Sequence, residues 1–181
     1  MEDKKEIRRI VREHIKAMTS EARDNAAEAI FATIEQSTEF QAAQCIALFA
    51  AMKDEVATSL ALRHWRDMGK HIVVPRVEGD IMRFYDYDPA LMTTGSFGIE
   101  EPTSDVEVMP EVIDLMIVPA RAFTREGIRL GRGGGFYDKY MSQPTFHAYK
   151  IGIAYECQIF DALPHAPHDI AVDRVVTEKN E

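Results

Sequence analysis

Near the start of the chain, apolar residues recur at helical spacing. Ile7, Ile10, Val11, Ile15 and Met18 fall on one face, so residues 4–18 are predicted to form an amphipathic helix. Thr19 or Ser20 suits the cap of a second helix, with Glu21 and Asp24 in its first turn and Ala22, Ala26, Ile30 and Ile34 toward a core. The pattern then changes. "CIALFAAM", 45–52, is a continuous apolar run, as expected of a strand buried on both faces. "DEVATSLALRHWRDMG", 54–69, returns to helical spacing and ends on a glycine suited to the position after a helix C-cap. "HIVVPRV", 71–77, is the next predicted strand. Two strands joined by a helix run parallel if they share a sheet. Farther on, 81–88 alternates like a more exposed strand, and 89–112 reads as loop from its Gly, Pro, Ser and Thr. Residues 114–120 read as a buried strand, 135–142 as the opening of a helix, 149–156 as a strand, 163–169 as a proline-bearing loop and 170–178 as a last strand. The expected class is α/β, a single three-layer domain over 1–181 with a mainly parallel sheet flanked by helices.

Composition fits that picture. The chain has 181 residues, 46% hydrophobic and 28% charged, which is enough to bury a core without staples. No apolar run reaches the roughly 18 residues of a membrane span. The start lacks the apolar core of a signal peptide, and Glu2, Asp3, Glu6 and Glu13 argue against a transit sequence. Cys45 and Cys157 read as buried thiols, so the cytoplasm is the expected compartment. The net charge of −9 argues against nucleic acid as a partner. Its distribution changes the reading. Residues 4–16 hold six basic and two acidic side chains, and residues 121–140 hold five basic and two acidic. Two basic islands in an acidic chain point to a small, highly charged anion held at one spot.

The second island contains "RLGRGGGFYDKY", 129–140. Three consecutive glycines are costly to order. A glycine turn between a buried strand and a helix would let backbone N–H groups approach a phosphate. Arg129 and Arg132 would add guanidinium forks. Asp138 would repel a phosphate unless a cation lay between them, which makes it a candidate Mg2+ ligand. The spacing is neither a Walker loop nor G-x-G-x-x-G. A flexible hairpin, with Asp138 only stabilising a helix start, also accounts for the pattern.

Several motifs together resemble the 5-formyltetrahydrofolate cyclo-ligases (methenyltetrahydrofolate synthetases). They are K-x-x-x-R at Lys4 to Arg8, M-x-x-E at Met52 to Glu55, "FGIEEP" at 97–102, "GIRLGRGGGFYD" at 127–138, and a tail from Leu163 through Asp173 to Thr177. The resemblance implies a Mg2+- and ATP-dependent enzyme that converts 5-formyltetrahydrofolate to 5,10-methenyltetrahydrofolate, releasing ADP and phosphate. The formyl oxygen would attack the γ-phosphate, N10 would attack the activated carbon, and phosphate would leave. Phosphoryl transfer of this kind is mostly positioning and charge neutralisation.

Carried over residue by residue, the resemblance implies ATP binding by Lys4, Lys5, Arg8, Arg129, Gly131, Arg132, Gly133, Gly134, Gly135, Tyr137 and Asp138. Arg132 would lie nearest the transferred group, with Tyr137 beside the nucleotide as the second catalytic candidate. Met52, Glu55, the three glycines and Phe136 would meet the folate, Glu55 taking the pterin donors. Asp138 and Asp173 would ligate Mg2+. Plainer readings exist for several of these residues. Lys4 and Arg8 also suit a solvated helix face, Glu55 an acidic helix start, and His165, His168 and Asp169 a packed loop rather than a metal site. Phe97 is either a flap over the folate or a loop anchor. Phe136 departs from the Tyr common in the family, which removes a hydroxyl. The implied partners are ATP and folate, with no nucleic acid and no membrane, and a monomer is expected. The alternatives are ATP-dependent activation of another small carbonyl compound, or a non-catalytic folate- or nucleotide-binding relative.

Overall fold

The computed structural model describes residues 3–95 and 98–179. Helix α1, Lys4–Lys16, starts where the Asp3 carboxylate accepts the Glu6 N–H at 2.8 Å, and it buries Ile7, Val11 and Ile15. Helix α2, Ser20–Glu35, is capped by Thr19, which accepts the Ala22 N–H at 3.0 Å. Ala26, Ala27, Ile30, Phe31 and Ile34 form its core face. Ala22, expected on that face, sits in the capped first turn and is exposed. Helix α3, Thr38–Ala42, leads into strand β1, Cys45–Ala47.

The apolar run 45–52 stays buried through Phe49, but the ladder ends early. The reason is Thr58. Its hydroxyl donates to the Phe49 carbonyl at 2.7 Å and accepts the Ala51 N–H at 3.0 Å, drawing the backbone out of the sheet. Helix α4, Ser59–Asp67, accordingly begins five residues later than its pattern predicts. Residues 54–58 are loop, so Glu55 does not open a helix. Gly69 follows the C-cap Met68 at φ +92°, as its position predicts.

Strand β2, His71–Glu78, runs parallel to β1 and turns at Gly79 into the antiparallel β3, Ile81–Asp86. The predicted loop 89–112 carries structure of its own. Strands β4, Met92–Thr94, and β5, Glu100–Pro102, form a ribbon, and β6, Glu107–Val108, edges the main sheet. Arg76 holds this segment through the Pro102 and Ser104 carbonyls, at 2.9 and 2.8 Å. Strand β7, Leu115–Val118, precedes a second ribbon of β8, Ala122–Phe123, and β9, Arg129–Leu130. Helix α5, Phe136–Met141, and strands β10, Tyr149–Ile153, and β11, Arg174–Val176, follow.

Among the described residues the main sheet runs β11-β10-β7-β1-β2-β3-β6, parallel except at β3 and β6. Side chains alternate across it. Ile46, Ile72, Val74, Leu115, Ile117 and Ile151 face α1 to α4 in one core. Ala47, Val73, Met116 and Val118 face Tyr140 and Met141 of α5 in the other. The mainly parallel α/β sheet flanked by helices therefore stands, with most of its helical cover on one side. No helix among the described residues is long and apolar enough to cross a membrane.

Candidate active site

Beyond the C-terminal end of β1, residues 52–55 close a turn. The Glu55 N–H donates to the Met52 carbonyl at 3.1 Å, and the Met52 N–H donates to Glu55 Oε1 at 2.7 Å. Arg23 of α2 supports the turn from behind, donating to the Lys53 and Glu55 carbonyls at 2.5 and 3.3 Å and to the Tyr155 hydroxyl at 3.2 Å. The Glu55 side chain is only 11% exposed. Burial pushes its carboxyl up from the ordinary glutamate range, against the pull of the Met52 N–H and Arg132.

The glycine segment meets this turn through Arg132. Its guanidinium is 2.5 Å from Asp54 Oδ1 and 3.6 Å from Glu55 Oε2. Asp54 Oδ2 is 2.6 Å from the guanidinium of Arg121, which is buried just before β8. Burial pushes the Asp54 carboxyl up, but hydrogen bonds from Arg132 and Arg121 outweigh it and hold the group below the usual aspartate range.

Arg129 sits differently. It is buried in β9, donates to the Pro119 carbonyl at 2.9 Å, covers the Tyr137 ring at 5.2 Å and lies 3.8 Å from Asp138 Oδ2. It is buried against the Gly131 position, whereas the Arg132 side chain is 37% exposed. Tyr137 is the ring that Arg129 covers, and burial raises its phenol well above the ordinary range.

The glycines answer to geometry. Gly133 and Gly135 have φ of +113° and +71°, where a side chain is strained. A Cβ on Gly134 would lie 2.7 Å from the Phe136 ring, and one on Gly131 would lie 3.1 Å from Arg129. Arg8 of α1 reaches the segment and donates to the Gly131 carbonyl at 2.9 Å. Burial lowers the Arg8 pKa, and nearby Arg121 lowers it further. The two basic islands thus meet in space. Lys4 and Lys5 are exposed on the turn before Arg8, with no ion pair among the described residues.

The two proposed metal carboxylates share no partner. Asp138 Oδ1 accepts the Ile170 N–H at 2.9 Å. Asp173 stands just before β11, accepting the Lys150 N–H at 2.8 Å and lying 3.3 Å from its ammonium. Among the described residues no group of three or more His, Cys, Asp and Glu is arranged to hold a metal. His165 contacts the Leu163 carbonyl, and His168 is 81% exposed and 3.5 Å from Asp169, which is ordinary loop packing. Phe97 lies outside the described residues.

Sequence reasoning missed Asp54, Arg121 and Arg23. Arg121 was visible as a member of the basic island, and Asp54 as the neighbour of Glu55. Nothing in the sequence marked Arg23, half-buried in the first turn of α2.

The sequence profile of the 5-formyltetrahydrofolate cyclo-ligase family matches residues 1–178. The chain belongs to that family. It is 27% identical over 190 residues to a mouse (Mus musculus) 5-formyltetrahydrofolate cyclo-ligase, covering 97% of this chain and 93% of that protein. The protein of that name from Escherichia coli K12 is 28% identical over 176 residues, covering 93% of this chain and 96% of its own. Among solved structures, the Aquifex aeolicus 5,10-methenyltetrahydrofolate synthetase superposes with TM-score 0.87 at 35% identity, over 98% of this chain and 90% of that one. The Mycoplasma pneumoniae enzyme of that name gives 0.79 at 25%, over 98% of this chain and 100% of that one.

Proposed function

We propose that the chain carries out the ATP-dependent closure of 5-formyltetrahydrofolate to 5,10-methenyltetrahydrofolate. The observation that carries this is Arg132, which belongs to the glycine segment and whose guanidinium reaches Asp54 and Glu55 of the 52–55 turn, so that the two segments meet at one cation. The two reactants of this chemistry, a triphosphate and a formyl-bearing pterin, must meet at such a junction. Glu55 holds the 2-amino and ring N–H donors of the pterin, and Met52 and Phe136 pack beside it. Arg132 and Arg8, with Lys4 and Lys5 nearby, hold the phosphates over Gly131 and Gly133 to Gly135, and Arg129 keeps the floor rigid. The formyl oxygen attacks the γ-phosphorus and ADP departs. N10 then adds to the activated carbon and loses its proton to solvent, and cleavage of the C–O bond expels phosphate and leaves the closed methenyl ring. Arg132 offsets charge on the transferred group, and Tyr137 supplies a fixed neutral wall.

Mg2+ would take Asp138 through Oδ2, the oxygen not used by the Ile170 N–H and 3.8 Å from Arg129, with phosphate oxygens completing its shell, since one or two carboxylates plus phosphates typically hold Mg2+. When bound, it would neutralise phosphate charge. Asp173 would join only by giving up Lys150, so the two carboxylates are separable by experiment.

The test is incubation with Mg-ATP and 5-formyltetrahydrofolate, following the near-ultraviolet absorbance of the methenyl product. Product should form, and chelation of Mg2+ should stop it. No product at generous substrate overturns the proposal. Asp138→Asn also takes the carboxylate away from buried Arg129, so it should lower thermal stability, but turnover measured well below the melting temperature should fall further than that loss explains, and normal turnover in that variant removes Asp138 from the metal site.

A further inference from the structure

We infer that Asp54 is a positioning residue for Arg132, anchored from the interior by Arg121. The inference rests on the proposed reaction for its catalytic consequence, but not for its geometry. Arg121 is 4% exposed, and a buried guanidinium needs a carboxylate. Among the described residues that carboxylate is Asp54, at 2.6 Å. The other Asp54 oxygen is spent on Arg132 at 2.5 Å. One carboxylate therefore links an immobile cation to a half-exposed one.

Buried ion pairs are weak sources of stability compared with apolar packing, so the pair's consequence lies in where it holds its third member. Arg132 leaves a backbone of glycines that offers no neighbouring side chain to restrain it. Untied, its long side chain would sample many rotamers. Tied to Asp54, it is held within reach of Glu55 Oε2 at 3.6 Å, at the border of the proposed folate and phosphate sites. Asp54 and Glu55 are consecutive, so any shift of the 52–55 turn is passed to Arg132 directly.

The experiment is a double-mutant cycle. Asp54→Asn alone strands buried Arg121 and risks misfolding, so it is paired with Arg121→Met, which removes the buried charge together with its partner. The Asp54→Asn/Arg121→Met protein should melt close to the parent, yet lose turnover about 100-fold, as expected of a misplaced catalytic group. Its affinity for 5-formyltetrahydrofolate should change far less than kcat. In an Arg132→Ala background the same pair should cost nothing further. Parental turnover, or losses that add in full to those of Arg132→Ala, would overturn the inference. The same cycle is read by calorimetry with the β,γ-imido analogue of ATP, where the losses of affinity should again fail to add. That second reading stands even if the parent makes no methenyl product, an outcome that would sink the proposed reaction and leave the Arg121–Asp54–Arg132 link to be judged by nucleotide affinity.

Discussion

Glu55 shows most directly how one side chain's surroundings set its chemistry. Its carboxylate is nearly enclosed and its pKa is raised, first by burial. A carboxyl with a raised folded pKa contributes stability that is full below its unfolded pKa and is lost as pH rises through the folded value. Glu55→Gln should flatten that loss, which a thermal-melting series over mildly acidic pH would record. The same substitution should weaken 5-formyltetrahydrofolate binding by about 10- to 100-fold, the usual worth of a charge-assisted hydrogen bond. Unchanged affinity by calorimetry removes Glu55 from the site. Asp54 has the opposite sign, since its stabilising contribution is present above the ordinary aspartate pKa and lost as pH falls through its depressed one. Glycine chemistry was legible from composition, but not which glycine does what. Gly135 caps α5 at a left-handed φ of +71°. Gly135→Ala should cost about 1–2 kcal/mol by denaturant titration, and Gly135→Asn less. At Phe136 the ring's closeness to the Gly134 position shows packing as its observable role.

The elements of the chain were readable where periodicity was long and unbroken. Both N-terminal helices and the parallel unit of β1, α4 and β2 follow their apolar spacing. Reading failed where a distant side chain took over the backbone's hydrogen bonds. Apolar content alone extends β1 to residue 52, but the Thr58 hydroxyl claims Phe49 and Ala51 and turns 49–58 into a site loop. Thr58→Val should leave both groups unsatisfied and cost about 1–3 kcal/mol in a denaturant titration. Nothing local predicts Arg23 behind residues 53 and 55 either, because its partners lie 30 and 32 positions away. Arg23→Met should loosen the turn and raise the folate dissociation constant, with little change in nucleotide affinity. An equal loss of both affinities would show a general structural role instead.

For the molecule as a whole, charge distribution carried more information than net charge. The islands at 4–16 and 121–140 are far apart in the chain, yet Arg8 bonds Gly131 at 2.9 Å. If their summed field draws in ATP, its affinity should fall as salt rises from about 0.01 M to about 0.15 M, where the Debye length shrinks from about 30 Å to about 8 Å. A flat response by calorimetry would contradict that. The order of amino acids was sufficient for the α/β class, the strand–helix–strand unit and the family, because periodicity and short motifs are local properties. Folding alone paired Asp54 with both Arg121 and Arg132, buried Arg129 against the Pro119 carbonyl and the Tyr137 ring, and gave Asp138 and Asp173 separate partners. Those carboxylate pairings are between polar groups far apart in the chain, decided by which loops and strand ends the packed sheet brings together, and such pairings leave no trace in the spacing of residues along it.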